Sequence, residues 1–245
     1  LNLGSGDAIG SAGTITFGGG TLQYSANNTT DYSGRFSTAA SQAYKLDTNS
    51  QSVTLASALT SSSGTLTKLG AGTLTLTGAN TYDGGTILTA GTLNLGSSGA
   101  IGSTGTISFG GGTLQYSANN TTDYSGRFST AASQAYSLDT NSQSVTLASA
   151  LTSSGGTLTK LGPGTLTLTG ANTYTGTTTI SSGTLQVGNG STTGSLGSGA
   201  VTDNAELVLN RSDALTVANA ISGTGSLTQS GTGTAILTGA NTYTG

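Results

Sequence analysis

The sequence predicts an all-β fold, a parallel β-helix in which short coils stack along one axis. Three observations lead there. The decamer TLTLTGANTY stands at 73–82 and again at 165–174, and TGANTYTG closes the chain at 238–245. The matching asparagines, Asn80, Asn172 and Asn241, are separated by intervals of 92 and then 69 in the numbering, and both intervals are multiples of 23. Apolar and hydroxylated residues alternate with a period of two through much of the chain.

The common divisor predicts a coil of about 23 residues, with four coils in the longer repeat and three in the shorter. Stacked folds accept the gain or loss of whole units without losing phase. Stretches such as Thr14-Ile15-Thr16-Phe17, Ser52-Val53-Thr54-Leu55 and Thr73-Leu74-Thr75-Leu76-Thr77 read as strands with one buried face. Leu, Ile and Val point inward and Thr outward. Gly-Thr-Leu or a close relative recurs at 13, 20, 64, 72, 91, 105, 112, 156, 164 and 183, often at intervals of 7 or 8. Three strands joined by glycine-containing corners therefore fill one coil. A single coil can neither bury its leucines nor pair its backbone, and its neighbours do both. A sandwich or propeller of antiparallel hairpins is the competing all-β reading, but Asx-Gly turns occur only at Asp83-Gly84 and Asn189-Gly190. The expected organisation is one continuous β-helix over 1–245, with large repeats 1–92 and 93–184 and a shortened repeat 185–245. The two large repeats agree at 79 of 92 positions.

Composition narrows the function. The 245 residues include 41 glycines and no Cys, Met, Trp or His, and only 15 charged side chains, 6 basic and 9 acidic. Average chains are about a quarter charged. A net charge of −3 does not suit phosphate neutralisation on nucleic acid, and no basic amphipathic stretch offers a hold on anionic lipid. Apolar runs fall far short of the roughly 20 residues that span a bilayer, so no direct membrane insertion of the segment is expected. Without cysteine there is no disulfide framework or thiolate metal site. Stability has to come from repetition and burial.

The residues of the repeat resemble a known family. GTLTKLGAGTLTLTGANTYDGGTILTAGTLNLG at 64–96 and GTLTKLGPGTLTLTGANTYTGTTTISSGTLQVG at 156–188 are similar to the passenger-associated transport repeat, also called the autotransporter-associated β-strand repeat, of bacterial autotransporter passengers. GSLTQSGTGTAILTGANTYTG at 225–245 resembles the first two-thirds of a further copy, and LNLG at 1–4 the tail of another. Because the chain opens and closes inside a motif, it is expected to be a fragment of a longer protein. The resemblance implies a right-handed β-helical passenger, exported through the outer membrane of a Gram-negative bacterium and displayed extracellularly. Its implied partner is the C-terminal outer-membrane barrel of the same polypeptide. It brings no catalytic, cofactor-binding or metal-binding residues, and no cofactor. The predicted function is a structural, non-enzymatic stalk that aids its own translocation by templated folding and displays a distal region; the alternative is an adhesin flank that binds glycan or host protein. End-to-end self-association of the fragment is also expected from its two raw ends.

Several side chains are candidates for chemistry. The acids are Asp7, Asp31, Asp47, Asp83, Asp123, Asp139, Asp203, Glu206 and Asp213. An offset of one coil brings Asp7 near Asp31, but the second copy has Gly99 in place of Asp7, so solvated loop acids are expected. Asp31 with Arg35 and Asp123 with Arg127 read as surface ion pairs worth at most about 1 kcal/mol. Asp203, Glu206, Arg211 and Asp213 form the densest charge but no Asp-x-Asp-x-Asp-Gly loop. Without His no Ser-His-Asp triad can form, and no helix follows Gly18-Gly19-Gly20 to make a phosphate cradle. Tyr24, Tyr32, Tyr44 and Tyr82, with counterparts Tyr116, Tyr124, Tyr136 and Tyr174, read as corner residues with wet hydroxyls rather than a sugar-stacking track. An ice-binding plane of threonines is not expected, because an offset of 23 aligns Thr73-Leu74-Thr75 with Ser50-Gln51-Ser52 and Gly96-Ser97-Ser98.

Overall fold

The computed structural model describes all 245 residues, in two compact units, Leu1–Asn120 and Thr121–Gly245. Each unit is a parallel β-solenoid, and helix is limited to one 3-10 turn in each, Ser33–Arg35 and Ser125–Arg127.

In the first unit, β1 (Thr21–Gln23), β2 (Ala43–Asp47), β4 (Thr65–Leu69), β6 (Thr86–Leu88) and β8 (Ile107–Phe109) form one parallel sheet in that order. A second sheet runs β3 (Ser52–Leu55), β5 (Thr73–Leu76), β7 (Thr92–Leu95) and β9 (Thr113–Gln115). The alternation in sequence becomes alternation in burial: in β5 Leu74 and Leu76 are fully buried while Thr73 and Thr75 are not. Gly72 turns the corner between the two sheets at φ 88, where a side chain would also run into the Gln51 carbonyl of the turn before.

The third side of these turns carries no ladder. Residues 56–63, 77–85 and 96–106 close it irregularly, and Asn80 does the work of the missing sheet. Its Oδ1 accepts from the Leu59 N–H at 2.7 Å and its Nδ2 donates to the Ala100 carbonyl at 2.5 Å, while its backbone N–H donates to the Gly99 carbonyl at 2.9 Å. One buried amide thus ties three turns. The turn between β1 and β2 is longer, and Phe17, Phe36 and Tyr44 fill the interior there, with ring centroids 4.8 to 6.0 Å apart.

In the second unit, β10 (Ala135–Asp139), β12 (Thr157–Leu161), β14 (Thr178–Ile180), β16 (Val201–Asp203) and β19 (Ile221–Ser222) are consecutive neighbours in one sheet. A second sheet holds β11 (Ser144–Leu147), β13 (Thr165–Leu168), β15 (Thr184–Val187), β17 (Glu206–Leu209) and β20 (Ser226–Gln229). The third side pairs β18 (Leu215–Val217) with β21 (Ala235–Leu237), so three strands per turn are realised in full over the last two turns. Asn172 and Asn241 repeat the tie, accepting from the N–H groups of Leu151 and Ile221 at 2.8 and 2.9 Å.

The turn is about 21 residues long rather than 23. Along the first sheet, Thr21 pairs with Lys45, Lys45 with Thr67, Thr67 with Ile87 and Ile87 with Ser108, so the numbering advances by 24, 22, 20 and 21 from turn to turn. Thr113, the copy of Thr21 in the second large repeat, is therefore past the next corner and pairs with Thr92 in the second sheet. The shortened repeat behaves alike. Thr165 pairs with Thr184, Thr184 with Glu206 and Glu206 with Ser226, advances of 19, 22 and 20. Thr234, the counterpart of Thr165 in the last copy of the motif, leads into β21 on the third side. Both intervals between copies contain whole turns plus one side, and division by 23 treats that remainder as part of the turn.

Leu74→Ala is expected to destabilise the first unit by about 2–5 kcal/mol. Asn80→Ala orphans the Leu59 N–H and the Ala100 carbonyl, at about 1–3 kcal/mol for each. The exposed-face change Thr75→Ala is expected to stay within about 0.5 kcal/mol. Urea unfolding of the three variants checks the order.

Candidate functional site

The structure uses the acidic side chains as ties. Both oxygens of Asp31 are taken: Oδ1 accepts from the Ser33 N–H at 2.8 Å and the Ser33 hydroxyl at 2.6 Å, and Oδ2 accepts from the Ala56 N–H of the following turn at 2.8 Å. Asp123 repeats this with Ser125 and Ala148. Asp31 is therefore a cross-turn clasp, and Asp7 is exposed. Asp47 accepts from the Asn49 N–H and the Gln23 amide, both at 2.8 Å. Asp83 accepts from the Ser63 N–H, a place that Thr175 fills in the second copy by accepting from the Gly155 N–H at 2.7 Å.

Arg35 does not pair with Asp31. Its guanidinium lies over the Tyr32 ring, 5.7 Å from the centroid, and donates to the carbonyls of Ile9, Gly10, Ala12 and Gly13. The expected surface ion pair is instead a cap on the loop of the preceding turn, because a planar fork of five N–H groups suits converging carbonyls. An ion pair does form between Arg211 and Asp213, two-pronged at 2.7 and 2.5 Å, and it holds the Asp213 carboxyl below its usual range. Asp203 is buried, and desolvation raises its carboxyl, opposed by backbone N–H groups of Ala205 and Leu207. Glu206 accepts from Thr184 at 2.8 Å. No group of three or more metal-ligating side chains comes together.

The eight candidate tyrosines line the core rather than the flank: Tyr24, Tyr32, Tyr44, Tyr82, Tyr116, Tyr124, Tyr136 and Tyr174 are all buried. Four of the hydroxyls find buried protein partners rather than water. Tyr44 and Tyr136 donate to the carbonyls of Ser37 and Ser129, and Tyr82 and Tyr174 pair with Thr86 and Thr178. Burial raises Tyr24, Tyr44, Tyr136 and Tyr174 above the ordinary phenol value. The threonine rank also differs from the expected one. With the true register, Thr73 and Thr75 lie between Ser52 and Thr54 on one side and Thr92 and Asn94 on the other. A hydroxyl row does continue, but Asn94 and Gln115 join its second file, so a uniform threonine lattice does not form.

Two residues escape the sequence reading. Lys68 and Lys160 sit at inward positions of Thr-Leu-Thr-Lys-Leu strands and are fully buried. The signal is present in the sequence, since each lysine falls in phase with the inward leucine two residues earlier. Burial pushes both ammonium groups down to about 8, with Asp47 and Asp139 opposing, so both are charged at neutral pH.

These arrangements define a repeat protein whose turns interlock through buried polar groups. The comparisons agree with that class. Residues 66–95, 158–187 and 227–245 match the family described as Passenger-associated-transport-repeat. The Adhesin BmaC autotransporter of Brucella suis biovar 1 (strain 1330) is 52% identical over 69 residues, which is 28% of this chain and 2% of that protein. This chain thus spans a small part of the relative's length. No solved structure matches. Three segments of the chain thus match a repeat of autotransporter passengers, and repeats of that kind imply a secreted, cell-surface location in a Gram-negative bacterium. No helix is long and apolar enough to cross a membrane.

A pH dependence follows from the buried ionisable groups. In the unfolded chain lysine holds its proton to 10.5, whereas in the fold Lys68 and Lys160 release theirs from about 8. The unfolded state binds more protons in between, so stability rises with pH across that window. Above 10 the unfolded tyrosines ionise while the buried ones hold their protons, and stability falls. Urea midpoints measured from pH 7 to 11 are expected to pass through a maximum near pH 10; a monotonic fall contradicts this assignment.

Proposed function

We propose that this chain is a structural, non-enzymatic stretch of an autotransporter passenger, a β-solenoid spacer that helps draw its own polypeptide through the outer membrane by folding turn upon turn, and that displays a region beyond it. The observation that carries this reading is the dependence of each turn on its neighbours: Asp31, Asn80 and Lys68 all complete their hydrogen bonds with atoms of other turns. A turn that emerges outside the cell finds on the last folded turn a row of unpaired backbone groups and an open apolar cross-section. Docking buries side chains such as Leu66, Leu74, Leu76 and Tyr82, each worth about 1.5–3 kcal/mol, and opposes backsliding. The absence of cysteine means that no disulfide obstructs threading. The partner in this reading is the C-terminal outer-membrane barrel of the same polypeptide.

A second reading, a flank that binds glycan or host protein, draws its support from the relative's name, an adhesin. The spacer reading takes precedence because eight of the nine tyrosines, the aromatic groups best suited to sugar stacking, are inside.

The test is made in the full polypeptide that carries this segment. Replacing Leu74 and Leu76 together with Asp, and separately deleting 93–184, are both expected to lower the amount of passenger displayed on intact cells, with the Asp variant accumulating in the periplasm. Unchanged surface yield in both overturns the translocation role. Specific retention of the isolated chain on a glycan array would favour the second reading.

A further inference from the structure

The leucine pattern leaves the register of one turn on the next under-determined. In a Thr-Leu-Thr-Leu strand, a slip of two residues returns every leucine to the interior and every threonine to the surface, so the apolar faces alone do not distinguish the two pairings. Something else has to select the observed one.

Lys68 occupies the inward phase of β4 and meets its three acceptors there. Nζ donates to the carbonyls of Leu69 at 2.8 Å and Gly70 at 2.7 Å, in its own corner, and to the Ala90 carbonyl at 3.2 Å, in the corner of the next turn. The next turn answers through backbone, since the N–H of Thr89 donates to the Lys68 carbonyl at 3.0 Å. Gly91, beside it at φ 64, lies so close that a Cβ would stand 2.6 Å from Nζ. A slipped turn would bring a different carbonyl and a side chain to that spot.

Lys160 repeats the arrangement, with Leu161, Gly162 and Ser182 at 3.0, 2.7 and 2.9 Å. Gly183 stands at φ 68, and a Cβ there would come 2.9 Å from Nζ. The segment that delivers the third carbonyl is among the least alike between the two copies: Gly85, Ile87, Leu88, Thr89 and Ala90 become Thr177, Thr179, Ile180, Ser181 and Ser182. Side chains change and the contact persists. At the equivalent place in the last copy of the motif stands Gln229, whose Nε2 donates to the carbonyls of Gly231 and Gly233, both at 3.1 Å.

We propose that Lys68 and Lys160 are register-setting latches: each buried ammonium accepts the next turn in the one pairing that supplies a carbonyl and a side-chain-free glycine, and rejects the two-residue slip that the leucines tolerate. The physical basis is asymmetry. An ammonium with three acceptors is accommodated in the interior, and one left short of them carries a large desolvation penalty. Buried polar groups are best attested in this role in coiled coils, where one such residue fixes register at a cost in stability.

The chain contains no cysteine, so an engineered pair reports register directly. Thr67 pairs with Ile87, and Thr89 lies two residues further on the same outward face. The pair T67C/I87C therefore reads the native register and T67C/T89C the slip, since opposed parallel strands place Cα atoms within disulfide reach. With Lys68 present, oxidation is expected to favour the native pair by at least about tenfold; with Lys68→Met the slipped pair is expected to rise to within about threefold of it. Lys68→Gln, which installs the amide found at Gln229, is expected to restore the native preference. A Lys68→Met chain that keeps the native preference overturns the proposal. So does one that loses both cross-links, because the lysine then only stabilises and does not select.

Discussion

No turn of this molecule can satisfy itself, and that constraint governs the rest. A parallel strand of three to five residues has all its ladder partners on the strands above and below. Where the third side lacks a ladder, the same obligation passes to side chains: Asn80 and Asn172 bridge to other turns, and the Asp31 and Asp123 carboxylates reach the N–H groups of Ala56 and Ala148. The decamer TLTLTGANTY contains both halves of the solution. Its leucines fill the interior, its asparagine replaces a missing sheet and its tyrosine closes the core. That is why the chain repeats it.

The copies do not superimpose turn on turn. β1 and β9 share the sequence Thr-Leu-Gln at equivalent places in the two large repeats, yet belong to different sheets. The sides of the solenoid must therefore be similar enough to host the same residues. Small outward Ser and Thr side chains, inward leucines and glycine corners make that exchange tolerable. A composition so low in charge follows from the same demand, because a charged residue suited to one side would meet new neighbours on the next.

Much of the fold was legible in the sequence. Period-two alternation and self-similarity identified strands such as β3 and β5 and the stacked parallel class, because inward leucine and outward threonine are local facts about a strand. The length of the turn was not, since the spacing of the copies adds one side to whole turns. The roles of polar residues were also hidden. Asp31 and Arg35 stand four apart and look like partners, but each finds backbone from another turn, and such partners cannot be known without the register. Tyr44 and Tyr82 read as corner residues with wet hydroxyls until the core they fill is seen. Lys68 is the clearest case: its phase marked it as buried, while its charge argued for the surface, and three carbonyls decide in favour of burial.

The other contacts of the molecule depend on the interlocked turn of about 21 residues, and one measurement tests it directly. Asn94 and Gln115 face each other across β7 and β9, with the Asn94 amide donating to the Gln115 side chain at 2.7 Å. Cysteines at these two positions should oxidise readily to an intramolecular disulfide, whereas cysteines at Asn94 and Ser117, the pair that the longer coil would place face to face, should not. The opposite outcome, with the Asn94–Ser117 pair forming and the Asn94–Gln115 pair failing, would contradict the register from which the clasps, the asparagine ties and the lysine contacts all follow.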